Sequence, residues 1–286
     1  MGDITIRKAL DDYKTVYMPY RNFAERTREE YLNDLDGFVE FLNNLGIDHV
    51  KEMGLPIIER YVALLEQKGY ASLTRKRKVV TIRSFLSFLY QDGYIDSNIG
   101  KKIVLPFTEN PTPHVLTQTE CDQLRLVCAG NLRDKAIIEL LLQTGIKLSE
   151  LVHLTLNDIQ LDEKDSGFVR VLGSRAKKER MIPLNKRASG TLKNYLDERE
   201  DTGNSIFFLN RFGESMGERG VQKMLRKYLK KAGIGRASIH TLRHTFGAQH
   251  IAKGTNPKTV QEVMGLKDAR STSMYVSIAK RLVHEI

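Results

Sequence analysis

The sequence predicts a mainly α-helical protein with one small β-hairpin, divided into two domains. Three observations carry that prediction. Apolar residues recur at three- and four-residue steps over most of the chain. Strand-like patterning is confined to one segment between Gly167 and Leu184. Pro106, Pro111 and Pro113 interrupt the helical pattern near the middle. A length of 286 residues suits one large domain or two small ones, and 41% apolar residues supply ordinary cores. This composition excludes a disordered chain, a collagen and a disulfide scaffold. No run approaches the roughly 18 apolar residues of a membrane span, and Met1 to Thr5 lacks a signal-peptide stretch, so a cytoplasmic protein with no membrane partner is expected.

The elements follow in order. A short helix near the N-terminus precedes a longer amphipathic one of about 20 residues, marked by Tyr31, Leu32, Leu35, Phe38, Val39, Phe41 and Leu42 and stopped at Gly46. Another runs from about Pro56 to Gln67 and ends at Gly69. The next is announced by Ser72 and Thr74. Its apolar stripe of Val79, Ile82, Phe85, Leu86 and Leu89 leaves Arg75, Lys76, Arg77 and Lys78 on or near the opposite side of the first turn. These helices make a bundle over residues 1–105, with Phe85 and Phe88 in its core. Residues 106–116 read as an extended, semi-rigid linker.

The second domain, residues 117–286, opens at Thr117–Glu120 with capping-box spacing and continues into the strongly apolar Ala136–Leu142. The Gly167–Leu184 hairpin is its main β element, and helical patterns return after it. Cys121 and Cys128 lie seven residues apart in one helix, a spacing that suits neither a bridge nor a metal cage. They read as ordinary helix residues in a reducing compartment.

Charge is distributed unevenly. The chain carries a formal +10 at pH 7 from 45 Lys+Arg against 35 Asp+Glu. Residues 1–110 hold 16 of each sign, so the whole excess belongs to residues 111–286, with 29 against 19. A polyanion is drawn mainly to that half, although the basic run at Arg75–Lys78 gives the neutral half one basic face.

The strongest local pattern is His240-Thr-Leu-Arg243-His244-Thr-Phe246. Ser238 is a credible N-cap, which places His240 and Arg243 at i and i+3 on one face near a helix N-terminus. An imidazole beside a guanidinium that grips two oxygens is a sensible phosphate site. Upstream, Thr144-Gly145-Ile146-Lys147-Leu148-Ser149-Glu150-Leu151 holds Lys147 in a tight turn, with Gly145 ending one helix and Ser149 capping the next. Downstream stand Val263-Met264-Gly265-Leu266 and then Ser271-Thr-Ser-Met274-Tyr275.

In these segments the chain resembles the tyrosine recombinase family (phage integrase, Xer and Cre), and the resemblance covers nearly all of it: a helical core-binding domain, a Pro-containing linker, a turn of the form T-G-x-R-x-S-E-L, a β-hairpin with lysines, H-x-L-R-H-T-F, and a closing G-H-x-x-x-x-T-x-x-Y. The resemblance implies a helical, SAM-like DNA-binding domain joined to a DNA breaking-rejoining catalytic domain. It implies that Tyr275 is the nucleophile, forming a 3′-phosphotyrosyl bond and releasing a 5′-hydroxyl, while Arg243 and His240 hold the scissile phosphate. Gly173–Arg180 matches the hairpin whose lysine protonates the leaving oxygen. The turn is one residue longer than the common G-K-G-x-K-E-R form, which leaves both Lys177 and Lys178 as candidates and Arg175 as a candidate for the usual DNA-facing place. No metal and no other cofactor is implied.

Two departures stand out. The family's first arginine falls on Lys147, which keeps the charge without the planar two-pronged donor set. Its second histidine, or tryptophan, nine residues before the tyrosine, falls on Leu266, which packs without a hydrogen bond. At roughly 10²–10³-fold in rate for each missing donor, the pair together costs about 10⁴-fold. Two readings follow: a site-specific recombinase, slow or disabled, or a recombinase-fold DNA-binding protein such as a repressor or architectural factor. His244 reads as a packing residue behind the site. Double-stranded DNA with an inverted-repeat site is the implied partner, gripped by one domain on each face, with monomers in solution and a homotetramer on synapsed DNA. Ile278, Leu282, Val283 and Ile286 form an apolar stripe suited either to a neighbouring protomer or to their own domain.

Overall fold

The computed structural model describes residues 4–109, 112–162, 166–173, 179–266 and 268–284, with the backbone alone at 269–271 and 283–284. The chain divides into two compact units, Met1–Asn110 and Pro111–Ile286.

The first unit is helical. Helix α1 (Ile6–Asp12) passes through a π-helical turn at Tyr13–Tyr17 into the short α2 (Met18–Tyr20). The wider turn directs Tyr13 into the core, where its hydroxyl shares a 2.8 Å hydrogen bond with Ser84 and its ring stacks on Tyr17. Helices α3 (Glu25–Asn44), α4 (Leu55–Gln67) and α5 (Ser72–Gln91) complete the bundle. Leu35, Phe38 and Leu42 of α3 bury at helical spacing, as do Val79, Ile82, Phe85, Leu86, Phe88 and Leu89 of α5. Helix α5 starts one residue earlier than its polar residues suggest, with Ala71 as N-cap and no side-chain cap.

The basic run does not lie free on that helix. Asp34 of α3 is buried, and it accepts hydrogen bonds from Arg77, from Lys78 at 3.0 Å and from Thr81 at 3.3 Å. Arg75 pairs with Glu66 at 2.6 Å, and Lys76 donates to Thr108 at 3.1 Å. One buried carboxylate in a wall of cations therefore ties α3 to α5.

The second unit packs helices around a three-stranded antiparallel sheet of order β1–β2–β3. The hairpin strands are β2 (Gly167–Leu172) and β3 (Glu179–Leu184), registered at Val169 opposite Ile182. A third strand, β1 (Ile159–Leu161), pairs with β2 as well. At three residues it is too short to show an alternating pattern in sequence. The sheet buries Val169, Val171, Ile182 and Leu184 on one face, against the large core.

Around it lie α6 (Gln118–Val127), α7 (Leu132–Thr144), α8 (Leu148–Leu151), α9 (Lys186–Glu198), α10 (Glu218–Lys231), α11 (Ile239–Ala252), α12 (Pro257–Met264) and α13 (Ala269–His284). The Thr117 capping box forms as its spacing predicts. Cys128 caps α6 rather than lying inside it, and burial pushes both free thiols up to about 11. The chain enters this unit pinned to α11, since the Leu116 N–H donates to Thr245 Oγ1 at 2.8 Å and the Leu116 carbonyl accepts from Gln249 at 3.3 Å. Ile278 buries against Phe246, Ala248 and Val260, and Leu282 packs on the same cluster, so the described part of the C-terminal stripe covers its own unit.

Replacing Asp34 with Ala should destabilise the protein by about 3 kcal/mol, because Lys78 would then stand nearly buried without a counter-charge. Urea unfolding of the full chain followed by circular dichroism reads this, and a loss below about 1 kcal/mol would mean that the pairs behave as surface ones.

Candidate active site

Helix α11 is the frame of the site. Its N-cap is Ser238, whose hydroxyl accepts the Thr241 N–H at 3.4 Å, and the first turns carry His240, Arg243 and His244. His240 is exposed and lines a cavity of about 280 Å³ with Leu148, Gln222, Arg226 and Ser238. Arg243, one turn later, is only 8% exposed. Its Nη1 donates to the Gly145 carbonyl and its Nη2 to the Met264 carbonyl at 2.6 Å. Both acceptors are carbonyls at helix C-termini, of α7 and of α12, where the helix supplies no partner and the dipole favours a cation. Burial lowers the guanidinium pKa, partly offset by the Glu150 and Tyr275 charges.

The turn after α7 depends on glycine. Gly145 has φ +57°, and a Cβ there would lie 2.5 Å from the Phe246 ring. The chain then reaches Lys147, which is itself the N-cap of α8. Ser149 falls inside that helix. Glu150, three residues after Lys147, supplies the capping acceptor by taking the Lys147 N–H at 2.8 Å, so no hydroxyl is needed at the cap. The Lys147 ammonium is exposed and 3.8 Å from Glu150.

Glu150 also receives a two-pronged pair from Arg180, at 2.7 and 3.1 Å, and Arg180 Nε donates to the Val263 carbonyl at 2.6 Å. Burial opposes ionisation of Glu150, but the Arg180 and Lys147 N–H bonds and the Arg180 charge outweigh it and hold the carboxyl below its usual range. Both residues fall inside the quoted sequence patterns, but neither is singled out there as a site residue. Their only signals there are the cap spacing from Lys147 and an arginine closing the hairpin turn.

Tyr275 on α13 is 2% exposed. Its hydroxyl lies 2.9 Å from Nδ1 of His244. The ring fits against α11 because residue 247 is glycine; a Cβ there would meet the ring at 3.2 Å and the Met264 sulfur at 3.0 Å. Burial raises the Tyr275 phenol above its usual range, with the Arg243 charge pulling the other way. Burial, with the charges of His240 and Arg243, holds His244 below the usual imidazole value. Leu266, directly after the left-handed Gly265, packs on the Phe246–Met264–Tyr275 cluster.

Of the residues singled out in the sequence, the structure joins Arg243, His244 and Tyr275 in one cluster and brings Lys147 to it through the Gly145 turn and Glu150. Arg175, Lys177 and Lys178 lie outside the described residues. Among the described residues, no group of three or more His, Cys, Asp or Glu could hold a metal, and no helix is long and apolar enough to cross a membrane. The cluster sets a buried phenol within hydrogen-bond distance of an imidazole nitrogen and near a buried guanidinium, group types suited to transfer at a phosphate.

The family model described as "Phage integrase family" matches residues 114–281, and "Phage integrase, N-terminal SAM-like domain" matches residues 10–93. The tyrosine recombinase XerC of Pelotomaculum thermopropionicum is 33% identical over 290 residues, covering 94% of this chain and 93% of that protein. The tyrosine recombinase XerD of Chlorobaculum tepidum is 30% identical over 293 residues, covering 98% and 95%. Among solved structures, a lambda integrase tetramer bound to a Holliday junction shares the fold with a TM-score of 0.80, at 17% identity, over 97% of this chain and 79% of that one. With the integrase match spanning more than half its length and whole-chain relatives on both counts, the chain belongs to the phage integrase family of tyrosine recombinases.

Proposed function

We propose that this chain is a site-specific DNA recombinase that cleaves and rejoins double-stranded DNA through Tyr275. The observation that carries the reading is the Tyr275–His244–Arg243 cluster, which sets a phenol, a proton acceptor and a phosphate-gripping cation together on α11 and α13. The Tyr275 oxygen attacks a phosphodiester and forms a 3′-phosphotyrosyl bond, and the 5′-oxygen leaves with a proton from Lys177 or Lys178. Arg243 and the exposed His240 hold the non-bridging oxygens, where negative charge grows in the transition state. Because the phosphotyrosyl bond keeps the energy of the broken phosphodiester, rejoining is the same step reversed.

Lys147 serves as a point charge toward the phosphate, and Leu266 fills the place of a hydrogen-bonding ring with carbon. Both departures lower the rate without removing the nucleophile, and the intact Tyr275–His244 contact favours chemistry over a purely DNA-holding role. Binding draws on an exposed basic face of α10 that includes Lys223, Arg226, Lys227 and Lys230, a surface that no sequence motif marks. In the first unit, the partly exposed Arg77 and its neighbours Arg75, Lys76 and Lys78 meet the backbone while braced by Asp34 and Glu66. Assembly as a tetramer on two synapsed sites follows the lambda integrase tetramer on its Holliday junction.

A nicked suicide duplex carrying the site recovered from a random-sequence pool by binding to this protein tests the reading. A covalent protein–DNA band on a denaturing gel is expected, absent in Tyr275→Phe and formed about 10²-fold faster in Lys147→Arg. No band even from Lys147→Arg combined with Leu266→His would overturn it.

Salt titration of the same duplex separates the two basic surfaces. Replacing Lys223, Lys227 and Lys230 with Ala should reduce the slope of log affinity against log salt by about 0.9 for each phosphate that is no longer neutralised. Replacing Arg75, Lys76 and Arg77 with Ala should weaken binding across sequences. Unchanged affinity in either variant would remove that surface from the DNA interface.

A further inference from the structure

The proton on Tyr275 poses a problem that its surroundings answer. A phenol is a weak nucleophile until its proton leaves, and burial makes this one hold its proton more tightly. At 2% exposure the side chain is closed to bulk water, so a group of the protein has to take that proton. The hydroxyl's hydrogen-bond partner is Nδ1 of His244, at 2.9 Å, inside the range for direct proton transfer. The two rings lie 5.7 Å apart and are tilted at 47°, so the contact runs through the heteroatoms rather than through stacking. Helix α11 fixes both partners: His244 sits on it, and Gly247 three residues on leaves the gap in which the Tyr275 ring rests. His240, the other imidazole of the motif, is exposed on the first turn.

We propose that His244 is a catalytic residue, the general base that takes the Tyr275 proton. The assignment rests on the recombinase reading above. With its own proton on Nε2, the neutral imidazole offers the Nδ1 lone pair to the Tyr275 hydroxyl. As the Oη–P bond forms and the P–O5′ bond breaks, the phenolic proton passes to Nδ1, and the departing 5′-oxygen takes its proton from the hairpin lysine. The phosphodiester carries one negative charge before and after, and the imidazolium holds the proton until the reverse step returns it to the Tyr275 oxygen. Burial, with the charges of His240 and Arg243, disfavours the imidazolium in the resting state and favours return of that proton.

The test uses the full chain, the selected suicide duplex and the rate of covalent band formation. His244→Asn keeps an acceptor oxygen near the place of Nδ1 but no base. It should bind DNA within about twofold of the parent and form adduct roughly 10²–10⁴-fold more slowly. Placing 3,5-difluorotyrosine at position 275, whose phenol releases its proton more readily, should restore at least tenfold of that loss in His244→Asn and change the parent little. Adduct formation by His244→Asn within threefold of the parent, or a loss that fluorination leaves untouched, overturns the assignment, since a packing role would be blind to the acidity of the nucleophile. If His244→Asn binds DNA poorly, His244→Ala with added imidazole replaces it, with rescue expected and its absence counting against a base. No adduct from the parent, from Lys147→Arg or from Lys147→Arg combined with Leu266→His overturns the recombinase reading and this assignment with it, whereas parent activity with full-rate His244→Asn overturns this assignment alone.

Discussion

The site depends on one buried guanidinium. Arg243 cannot shed its charge in the interior, so it must find acceptors, and the carbonyls at the ends of α7 and α12 are the ones it finds. These two bonds draw three helices to a point and use two of the five donors of the group. Arg180 does the same from the sheet, joining the α8 cap to the Val263 carbonyl through Glu150. The last turn of α12 is thus closed by two arginines from different directions, which sets where α13 begins and where Tyr275 arrives. Removing Arg243 would leave two helix-end carbonyls unmatched, and removing Arg180 would leave a helix-end carbonyl and a buried carboxylate so, each a cost of several kcal/mol before any chemistry is considered.

The positive charge of the protein divides into kinds. Arg243 and Arg180 are buried cations that already spend donors on backbone carbonyls and, for Arg180, on Glu150. Lys78 and, in part, Arg77 are balanced by Asp34, and Arg75 by Glu66. The exposed basic residues of α10 stand on one side of an amphipathic helix whose other side buries Val221, Met224, Leu225, Tyr228 and Leu229. A net charge counts all of these equally. The last kind is exposed to solvent, where long-range attraction of a polyanion acts, whereas the basic run that stands out in the sequence is partly neutralised by its own carboxylates.

Much of this architecture is legible in the sequence, because helix periodicity and caps are local signals. The stripes of α3 and α5, the Thr117 box, the Ser238 cap and the hairpin all arise within a few residues of one another. The features that sequence hides have the opposite character. Asp34 meets Arg77 and Lys78 more than forty residues away, so the basic run looks like a free face until the fold brings the carboxylate to it. Strand β1 is too short to show a period. Ser149 has the chemistry of a cap, but the acceptor comes from Glu150, whose second partner, Arg180, lies thirty residues on. His244 resembles a packing residue because its neighbour Tyr275 is thirty-one residues distant and on another helix. The motif identifies the stretch of chain that bears the chemistry; only the tertiary contacts show which atom of it faces the phenol.

The entry of the chain into the second unit has a mechanical meaning. Leu116 is bonded through its N–H to Thr245 and through its carbonyl to Gln249, two and six residues beyond Arg243 on the same helix. The connector therefore ends as a handle on α11 rather than as a loose tether. Force along the chain that leads into Leu116 is delivered first to α11, the helix that carries His240, Arg243 and His244.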